Sequence, residues 1–170
     1  MLALGGGVIG DTAGFVAATV LRGVPFVQIP TTLLAMVDAS VGGKTGVNHA
    51  VGKNLIGAFH QPEAVIVDVA LLATLPERER RAALGEAVKM AALGDERLFE
   101  LLEEDGEAIA RGDEAAFASG AVAEVVERSA WAKVEVVTAD EKEQGATGGR
   151  IALNLGHSLG HAFEAAGGFG

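Results

Sequence analysis

Two histidines near the end of the sequence have a spacing that is useful in catalysis. The stretch "LNLGHSLGHAFE" (153–164) places His157 and His161 four residues apart, each preceded by glycine. Residues four apart lie on one face of an α-helix, so both imidazoles would point the same way. Neutral imidazole is a common zinc ligand, but a catalytic zinc takes three protein ligands. The pair therefore indicates part of a metal site, with a plain surface pair on a helix as the alternative.

A second segment is rich in lysine, glycine and polar side chains. The stretch "PTTLLAMVDASVGGKTGVNHAVGKNLIGAFHQP" (30–62) carries Lys44 and Lys53, each preceded by glycine. Lysine is a compact cation suited to phosphate, and glycine lets the backbone approach such a ligand. The P-loop pattern fails here, because its leading glycine position is Asp38. We expect a loop that binds an anionic group, with a flexible surface loop as the alternative.

A glycine turn opens the sequence. Gly5, Gly7 and Gly10 have G-x-G-x-x-G spacing between a strand-like start and a helical stretch. Such a turn can hold a pyrophosphate at a helix N-terminus, or can be a tight turn without a ligand. The acid that a first Rossmann unit carries about 20 residues later is missing, since the next strand reads "FVQIP" (26–30). We interpret the turn as a later unit of a nucleotide-binding domain whose adenosine-binding half lies upstream.

The elements that would position these residues change in type along the sequence. The runs at 26–30 and 64–69 ("AVIVDV") are short, apolar and rich in Val and Ile, which predicts strands buried in a parallel sheet. Residues 76–139 are rich in Ala, Glu, Arg and Leu, which favours helix. Within them, "EEDGEAIARGDEAA" (103–116) is charged and broken by glycine, and we expect a surface connection there.

The predicted fold is therefore α/β, half of a Rossmann-like parallel-sheet domain over residues 1–74, followed by an α-helical domain over 75–170. The 170 residues are 49% hydrophobic, which is enough for a core. A net charge of −10 argues against nucleic acid and anionic membranes as partners. The absence of cysteine excludes disulfides, thiolate metal sites and cysteine nucleophiles. Neither a membrane span nor a signal peptide is predicted, so we expect a cytoplasmic enzyme.

Long stretches of the sequence resemble the 3-dehydroquinate synthase family. The resemblance runs from "GGGVIGD" (5–11) through 30–62, "LLATLPERERRAALGEAVKMA" (71–91) and "AKVEVVTADEKEQG" (132–145) to "RIALNLGHSLGHAFE" (150–164). It implies a homodimeric lyase that uses NAD and a divalent metal, zinc or cobalt. The implied reaction converts a seven-carbon phosphorylated sugar acid (DAHP) to 3-dehydroquinate and phosphate, by transient oxidation, β-elimination, re-reduction and an aldol closure.

The resemblance also assigns the metal site. Glu86, in "GEAVK", and His157 are the implied metal ligands, and the third would lie beyond Gly170. His161 is implied to contact substrate and to handle protons. We therefore expect these 170 residues alone to be inactive.

The remaining implied residues contact NAD or substrate. The glycine turn would hold the pyrophosphate, and Thr31, Thr32 and Thr74 would line the nicotinamide side. The implied cofactor-binding residues are Gly7, Val8, Ile9, Gly10, Asp11, Thr31, Thr32, Lys44, Lys53, Leu71, Leu72 and Thr74. The implied catalytic and substrate-binding residues are Arg22, Asp38, Lys44, Asn54, Lys89, Lys133, Glu143, Arg150, Asn154 and His161. Among these, Arg22 is implied to reach the phosphate across the dimer interface.

Three alternatives stay open at this point. A sedoheptulose 7-phosphate cyclase would share the fold and mechanism, but such relatives alter the "GGKTGVN" loop, which is intact here (42–48). A metal-dependent alcohol or glycerol dehydrogenase resembles the fold distantly, and the phosphate-directed lysines count against it. A fragment that binds but does not catalyse is the third.

Overall fold

The computed structural model describes residues 1–50, 52–139, 153–156, 160, 162–163 and 166–167, without the side chains of 52–54. Several predicted site residues therefore lie outside the described part of the chain. These are the side chains of Lys53 and Asn54, and Glu143, Arg150, His157 and His161.

The first part of the chain alternates strands with helical segments. Its elements are β1 (Leu2–Gly5), α1 (Gly7–Thr19), a 3₁₀ segment (Val20–Arg22), β2 (Val27–Pro30), a π-helical turn (Ala35–Ala39, here the π turn), β3 (Lys44–His49), β4 (Gly52–Phe59), β5 (Ala64–Val65) and a second 3₁₀ segment (Val69–Thr74).

A three-stranded parallel sheet in the order β1-β2-β5 confirms the predicted α/β half. Its register pairs Leu2 with Val27, and α1 forms the crossover between β1 and β2. The strand predicted at 64–69 is shorter than expected, since only Ala64 and Val65 pair with β2. The reason is local: the Asp68 carboxylate accepts a hydrogen bond from the Ala70 N–H (2.9 Å) and starts the second 3₁₀ segment.

The lysine-rich segment was expected to be a loop, and this expectation is wrong over much of its length. Strands β3 and β4 form an antiparallel hairpin with Lys44 opposite Phe59. Gly46 and Gly57 are paired across it, and a Cβ on Gly46 would come 2.9 Å from the Ile56 carbonyl oxygen. These glycines suggested a loop in the sequence, but in the structure they allow the two strands to approach each other closely.

The second part is helical, as predicted. Its helices are α2 (Glu77–Ala92), α3 (Glu96–Arg111), α4 (Glu114–Ala118) and α5 (Ala121–Ala139). The surface connection predicted at 103–116 is wrong, because α3 continues through Gly106. Burial of Leu98, Leu101 and Ile109 along one face outweighs the roughly 1 kcal/mol that an interior glycine costs.

The two parts share one main core. Leu33, Met36, Val37 and Leu72 from the first part pack with the buried side chains of α2, α3 and α5. The predicted boundary at residues 74/75 stays a prediction; in the structure it falls between the second 3₁₀ segment and α2. Within the described residues, no helix is long and apolar enough to cross a membrane.

Candidate functional site

The glycine turn lies directly against the carboxyl end of β2. The Thr31 N–H donates to the Gly5 carbonyl (3.0 Å), and a Cβ on Gly6 would stand 3.1 Å from Thr32 Cγ2. A Cβ on Gly10 would come 2.6 Å from Gln28 Oε1. The glycines are therefore needed for the close packing of α1 on the sheet, as expected for a nucleotide-binding turn.

The first turn of α1 suits an anion. Gly6 is its N-cap, without a side-chain cap, and the first turn carries no acidic residue. The early N–H groups of a helix have no intrahelical acceptor, and the helix dipole favours negative charge there. The segment that follows β2 is close by, since a Cβ on Gly7 would lie 3.4 Å from Ala39 Cβ.

The π turn places Asp38 at this end of the sheet. Thr32 Oγ1 accepts a hydrogen bond from the Ala35 N–H (3.3 Å) at its start. Met36 and Val37 are buried in the shared core, whereas Asp38 is only partly buried. Helical segments with π geometry occur often at functional sites, where they reorient individual side chains.

A cavity of about 400 Å³ collects charged groups from four elements. They are Asp11 of α1, Asp38 of the π turn, Lys44 of β3 and Lys133 of α5. Thr45 and Phe59 of the hairpin also line it. Two cations and two carboxylates around one cavity can bind a ligand that carries both anionic groups and hydroxyls.

Lys133 and Asp38 form an ion pair at this cavity. The Lys133 ammonium donates to the Asp38 carboxylate (Oδ1, 2.8 Å) and to the Asp38 backbone carbonyl (2.7 Å). Only 8% of Lys133 is exposed. This contact links the helical part to the α/β part at the cavity.

Asp11 is a titratable group whose pKa is shifted in this cavity. Burial raises the pKa of Asp11 to about 6, against the lowering effect of Lys133 and with a further raising effect from Asp38. A carboxyl with this pKa carries a proton for part of the time near neutral pH.

The predicted metal ligand Glu86 lies on α2 beside Lys89. The two side chains form an ion pair one helical turn apart, which confirms that they share a helix face. Glu86 is partly exposed and Lys89 is buried. A glutamate carboxylate fits a zinc site, and α2 packs against the π turn and α5. Neither residue is among the described residues that line the 400 Å³ cavity, and no group of three potential metal ligands occurs within the described part.

Comparison with known protein families shows which family this chain belongs to. Residues 1–82 match the family described as 3-dehydroquinate synthase N-terminal, and residues 83–170 match 3-dehydroquinate synthase C-terminal. The chain belongs to the 3-dehydroquinate synthase family. It is 52% identical over all 170 residues to the 3-dehydroquinate synthase of Nitrosospira multiformis, of which it spans 44%. The chain thus spans less than half the length of this relative.

Solved structures of related synthases share the fold. A 2-epi-5-epi-valiolone synthase from Streptomyces hygroscopicus with NAD+ and Zn2+ bound has a TM-score of 0.80 at 36% identity, over 92% of this chain and 42% of that one. A 2-deoxy-scyllo-inosose synthase complexed with carbaglucose-6-phosphate, NAD+ and Co2+ has a TM-score of 0.79 at 28% identity, over 97% of this chain and 43% of that one. These likenesses confirm the fold class.

The residues that the 3-dehydroquinate synthase pattern assigns to NAD fall into two groups in the structure. Thr31 and Thr32 are partly exposed beside the glycine turn, and Leu71 and Thr74 are exposed on the second 3₁₀ segment. Leu72 is fully buried in the shared core, where its side chain packs with other apolar residues. Their roles stay predictions.

The residues assigned to substrate are only partly brought together. Asp38, Lys44 and Lys133 share the cavity, whereas Arg22 and Asn154 are exposed and do not line it. The expected convergence of Lys44, Lys53, Lys89 and Arg150 stays a prediction, because two of these side chains lie outside the described residues.

Two features of the site were missed in the sequence. Asp11 was assigned to the pyrophosphate only. No local sequence pattern indicates that Asp11 lines a cavity with Asp38 and Lys133. The contribution of the hairpin, including Phe59, was missed because the segment was expected to be a loop. The sequence did contain a signal for a hairpin. The short runs "KTGVN" (44–48) and "NLIGAF" (54–59) contain valine, isoleucine and phenylalanine and are separated by a short connection.

Proposed function

We propose that this protein is an NAD- and metal-dependent 3-dehydroquinate synthase, a lyase that converts DAHP to 3-dehydroquinate and phosphate in aromatic amino acid biosynthesis. The observation that carries the proposal is the cavity where Asp11, Asp38, Lys44 and Lys133 meet beside the glycine turn. A phosphorylated sugar acid carries anionic groups for lysine and hydroxyls for carboxylates.

The glycine turn and the first turn of α1 would hold the NAD pyrophosphate. Support comes from the closeness of Gly6 and Gly7 to their neighbours, where a side chain would fill the cradle, and from the uncapped helix start. Thr31 and Thr32 would lie on the nicotinamide side. Asp11 would approach the same bound ligand from within α1.

Substrate would lie across the 400 Å³ cavity. Lys44 is exposed at the start of β3, and its ammonium can meet the substrate phosphate. Asp38 would accept hydrogen bonds from substrate hydroxyls, and Lys133 neutralises it. On a chain of net charge −10, these lysines also attract an anionic substrate locally.

Glu86 would be one metal ligand and His157 a second. When bound, NAD supplies a hydride acceptor and donor, and zinc or cobalt supplies a Lewis acid that polarises a substrate oxygen. Lys89 would hold the Glu86 carboxylate in a fixed direction. Two related synthase structures, one with NAD+ and Zn2+ and one with NAD+ and Co2+, support both cofactors.

A cytoplasmic homodimer is part of the proposal. Leu21 and Arg22 both have left-handed backbone conformations (φ 51° and 67°), and Leu21 is 84% exposed. An exposed leucine beside an arginine, on a turn held in a strained conformation, suits a contact with a second subunit. Arg22 would reach the substrate phosphate of that subunit.

A sugar phosphate cyclase acting on sedoheptulose 7-phosphate is the second candidate. The valiolone synthase structure favours it, with a TM-score of 0.80. The higher identity to a 3-dehydroquinate synthase, 52% against 36%, favours DAHP.

The decisive experiment is phosphate release with NAD+ and Zn2+ supplied. It uses the 170-residue chain and a chimaera in which the chain replaces its counterpart in the Nitrosospira multiformis enzyme. We expect the chimaera to release phosphate from DAHP and not from sedoheptulose 7-phosphate, and the chain alone to release none. A Lys44→Met chimaera controls for background hydrolysis. Release from sedoheptulose 7-phosphate alone would assign the second candidate, and a chimaera without activity on either would contradict both.

A further inference from the structure

Gly14 lies in α1 at the point where the β3–β4 hairpin packs on this helix. It is three residues after Asp11, so both positions share one face of α1. A Cβ on Gly14 would stand 2.4 Å from Thr45 Cγ2 and 3.1 Å from Thr45 Cβ. The first distance is far below van der Waals contact, so a side chain here would push β3 away from α1. Gly14 and Thr45 are both buried, so the contact lies inside a packed interface.

The neighbours of Gly14 are held in place by contacts of their own. The Thr45 hydroxyl donates to the Ala58 carbonyl of β4 (2.8 Å), which fixes this side chain across the hairpin. A Cβ on Gly14 would also stand 3.2 Å from Phe26 Cζ. Phe26 is 1% exposed and stacks on His60, with the ring centroids 5.4 Å apart. A larger residue at position 14 would therefore shift the hairpin as a unit rather than one flexible side chain.

A shift of the hairpin would reach Lys44, the first residue of β3. The residue before it, Gly43, accepts a hydrogen bond from the His60 N–H (2.8 Å), so both ends of the hairpin move together. Helix α1 contributes Asp11 to the 400 Å³ cavity, and β3 contributes Lys44. The distance between α1 and β3 therefore sets how far apart these two charged groups lie.

We infer that Gly14 is a positioning residue, which lets Thr45 pack directly on α1 and so holds Lys44 at the cavity. The catalytic meaning of this contact rests on the proposed function, in which Lys44 meets the substrate phosphate. Gly14 lies in the body of α1, after the glycine turn. Its role is therefore separate from the close approach of that turn to a pyrophosphate.

General packing of α1 is the alternative explanation for a glycine at this position. It predicts that Gly14→Ala weakens NAD+ binding and substrate turnover to the same extent. Positioning of Lys44 predicts a selective loss for the phosphorylated substrate. The glycine turn precedes Gly14 and is fixed by other contacts, since the Thr31 N–H donates to the Gly5 carbonyl (3.0 Å).

The first measurement uses NMR on the isotope-labelled 170-residue chain without ligand. The native chain should show a nuclear Overhauser effect between the Gly14 α-protons and the Thr45 methyl group. Gly14→Ala should shift the amide signals of Lys44 and Thr45 and lower the urea midpoint of unfolding. Gly106→Ala is the matched control, because its methyl group meets no described atom outside the neighbouring turns of α3. It should leave the Lys44 signal in place, and an unchanged Lys44 signal in a folded Gly14→Ala chain would overturn the inference.

A second substitution identifies the atom that Gly14 must accommodate. Thr45→Ser removes Cγ2 and keeps the hydroxyl that donates to Ala58. In the Thr45→Ser background, Gly14→Ala should therefore cost little, so the double variant should recover most of the urea midpoint and the Lys44 signal. If Gly14→Ala alone does not fold, a folded double variant supports the contact. A double variant that is no better than Gly14→Ala would overturn the inference.

Turnover of DAHP by the chimaera tests the effect on Lys44. Gly14→Ala should lower kcat/KM about 30-fold or more, mainly through a raised KM, because Lys44 no longer meets the substrate phosphate. The Kd for NAD+ should rise less than about threefold, and Thr45→Ser should restore most of kcat/KM in the double variant. A fall in kcat with an unchanged KM, or an equal rise in the Kd for NAD+, would show general disruption of α1 and overturn the inference. An inactive native chimaera with the expected NMR shifts and their recovery would contradict the proposed function and not the contact between Gly14 and Thr45.

Discussion

The Glu86 carboxylate is held by the ammonium of Lys89, one turn later on the same face of α2. Lys89 is buried and Glu86 is partly exposed, so the pair presents one carboxylate in a fixed direction. A metal ligand needs such orientation by a neighbouring group, because the neighbour sets both its direction and its charge. Under the proposed function, Glu86 would bind the metal and Lys89 would orient its carboxylate.

The first prediction follows from this pair. In the chimaera, Lys89→Ala should lower kcat/KM for DAHP about 100-fold or more and weaken Zn2+ binding about tenfold, because Glu86 loses its orienting partner. Arg81→Ala is the matched control on α2. Arg81 forms exposed ion pairs with Glu77 and Glu107, and such pairs contribute little. Near-normal turnover in Lys89→Ala would remove Lys89 from the site.

The sequence predicts those features of the fold and site whose cause lies in a local pattern of residues. The glycine turn and its closeness to Thr31 were predictable, because the carboxyl ends of parallel strands meet at one edge of a sheet. The shared face of Glu86 and Lys89 followed from helix periodicity. The contact between Lys133 and Asp38 spans 95 residues and has no periodic signal, so only the family resemblance placed both at one site.

The wrong expectations have one physical origin, the treatment of glycine as a sign of irregular structure. Gly106 lies inside α3, where burial of one helix face outweighs its low propensity. Gly46 and Gly57 lie inside the hairpin, where absence of a side chain allows close strand approach. Tertiary packing decides these cases, and it is not visible in a local pattern.

The second prediction concerns Asp11 and pH. Its folded pKa of about 6 lies above the ordinary 3.8, so between these values the folded chain binds more protons than the unfolded chain. Stability should therefore fall as pH rises through this window, and stay lower above it. Asp11→Asn removes the free-energy cost of ionising a partly buried carboxyl. In an enclosed site, a pKa shift of this size would lower the free energy of unfolding by about 3 kcal/mol. Because the Asp11 carboxyl is about half exposed, we expect Asp11→Asn to raise that free energy by about 1 kcal/mol.

The measurement is urea unfolding of the full chain at pH 7.5 and pH 4. Asp11→Asn should be more stable than the native chain at pH 7.5 and equal to it at pH 4, where the native carboxyl is largely protonated in the folded state. An equal gain at both pH values would show that packing, not titration, explains the effect. A loss of stability at pH 7.5 would contradict the assigned direction.

The third prediction compares two glycine substitutions. Gly10→Ala should destabilise the chain by about 1–3 kcal/mol, because its Cβ would stand 2.6 Å from Oε1 of Gln28, whose buried side chain cannot swing into solvent. This effect should exceed the roughly 1 kcal/mol that alanine adds in helix propensity. Gly106→Ala is the control. Outside the neighbouring turns of α3, no atom of the described residues lies within 4 Å of a Cβ there, and the higher helix propensity of alanine should add about 1 kcal/mol. Equal effects of the two substitutions on urea unfolding would disprove the close packing at Gly10.

The last prediction concerns Arg80, which joins the second 3₁₀ segment to the end of α3. Arg80 is 6% exposed, and its guanidinium donates to the carbonyls of Ala110 (3.0 Å), Arg111 (2.7 Å), Leu72 (3.4 Å) and Leu75. The carbonyls of Ala110 and Arg111 end α3, where carbonyls lack intrahelical partners, so one side chain satisfies several acceptors at once. The Leu72 carbonyl also accepts from the Leu75 N–H (3.1 Å).

Arg80→Met keeps the apolar stem but removes the donor to the carbonyls of Ala110, Arg111 and Leu75, and we expect a loss of about 3 kcal/mol in the free energy of unfolding. Arg80→Lys should lose less but not recover fully, because an ammonium cannot reproduce the planar fork of donors. Arg78→Met, on the exposed side of α2, is the matched control and should change stability by less than about 0.5 kcal/mol. Leu72 lies on the segment that the family resemblance assigns to NAD, and Leu75 directly follows that segment. Arg80→Met should therefore also weaken NAD+ binding by the chimaera, measured by calorimetry. Unfolding curves that coincide for Arg80→Met and Arg78→Met would show that the buried guanidinium does not hold the segment in place.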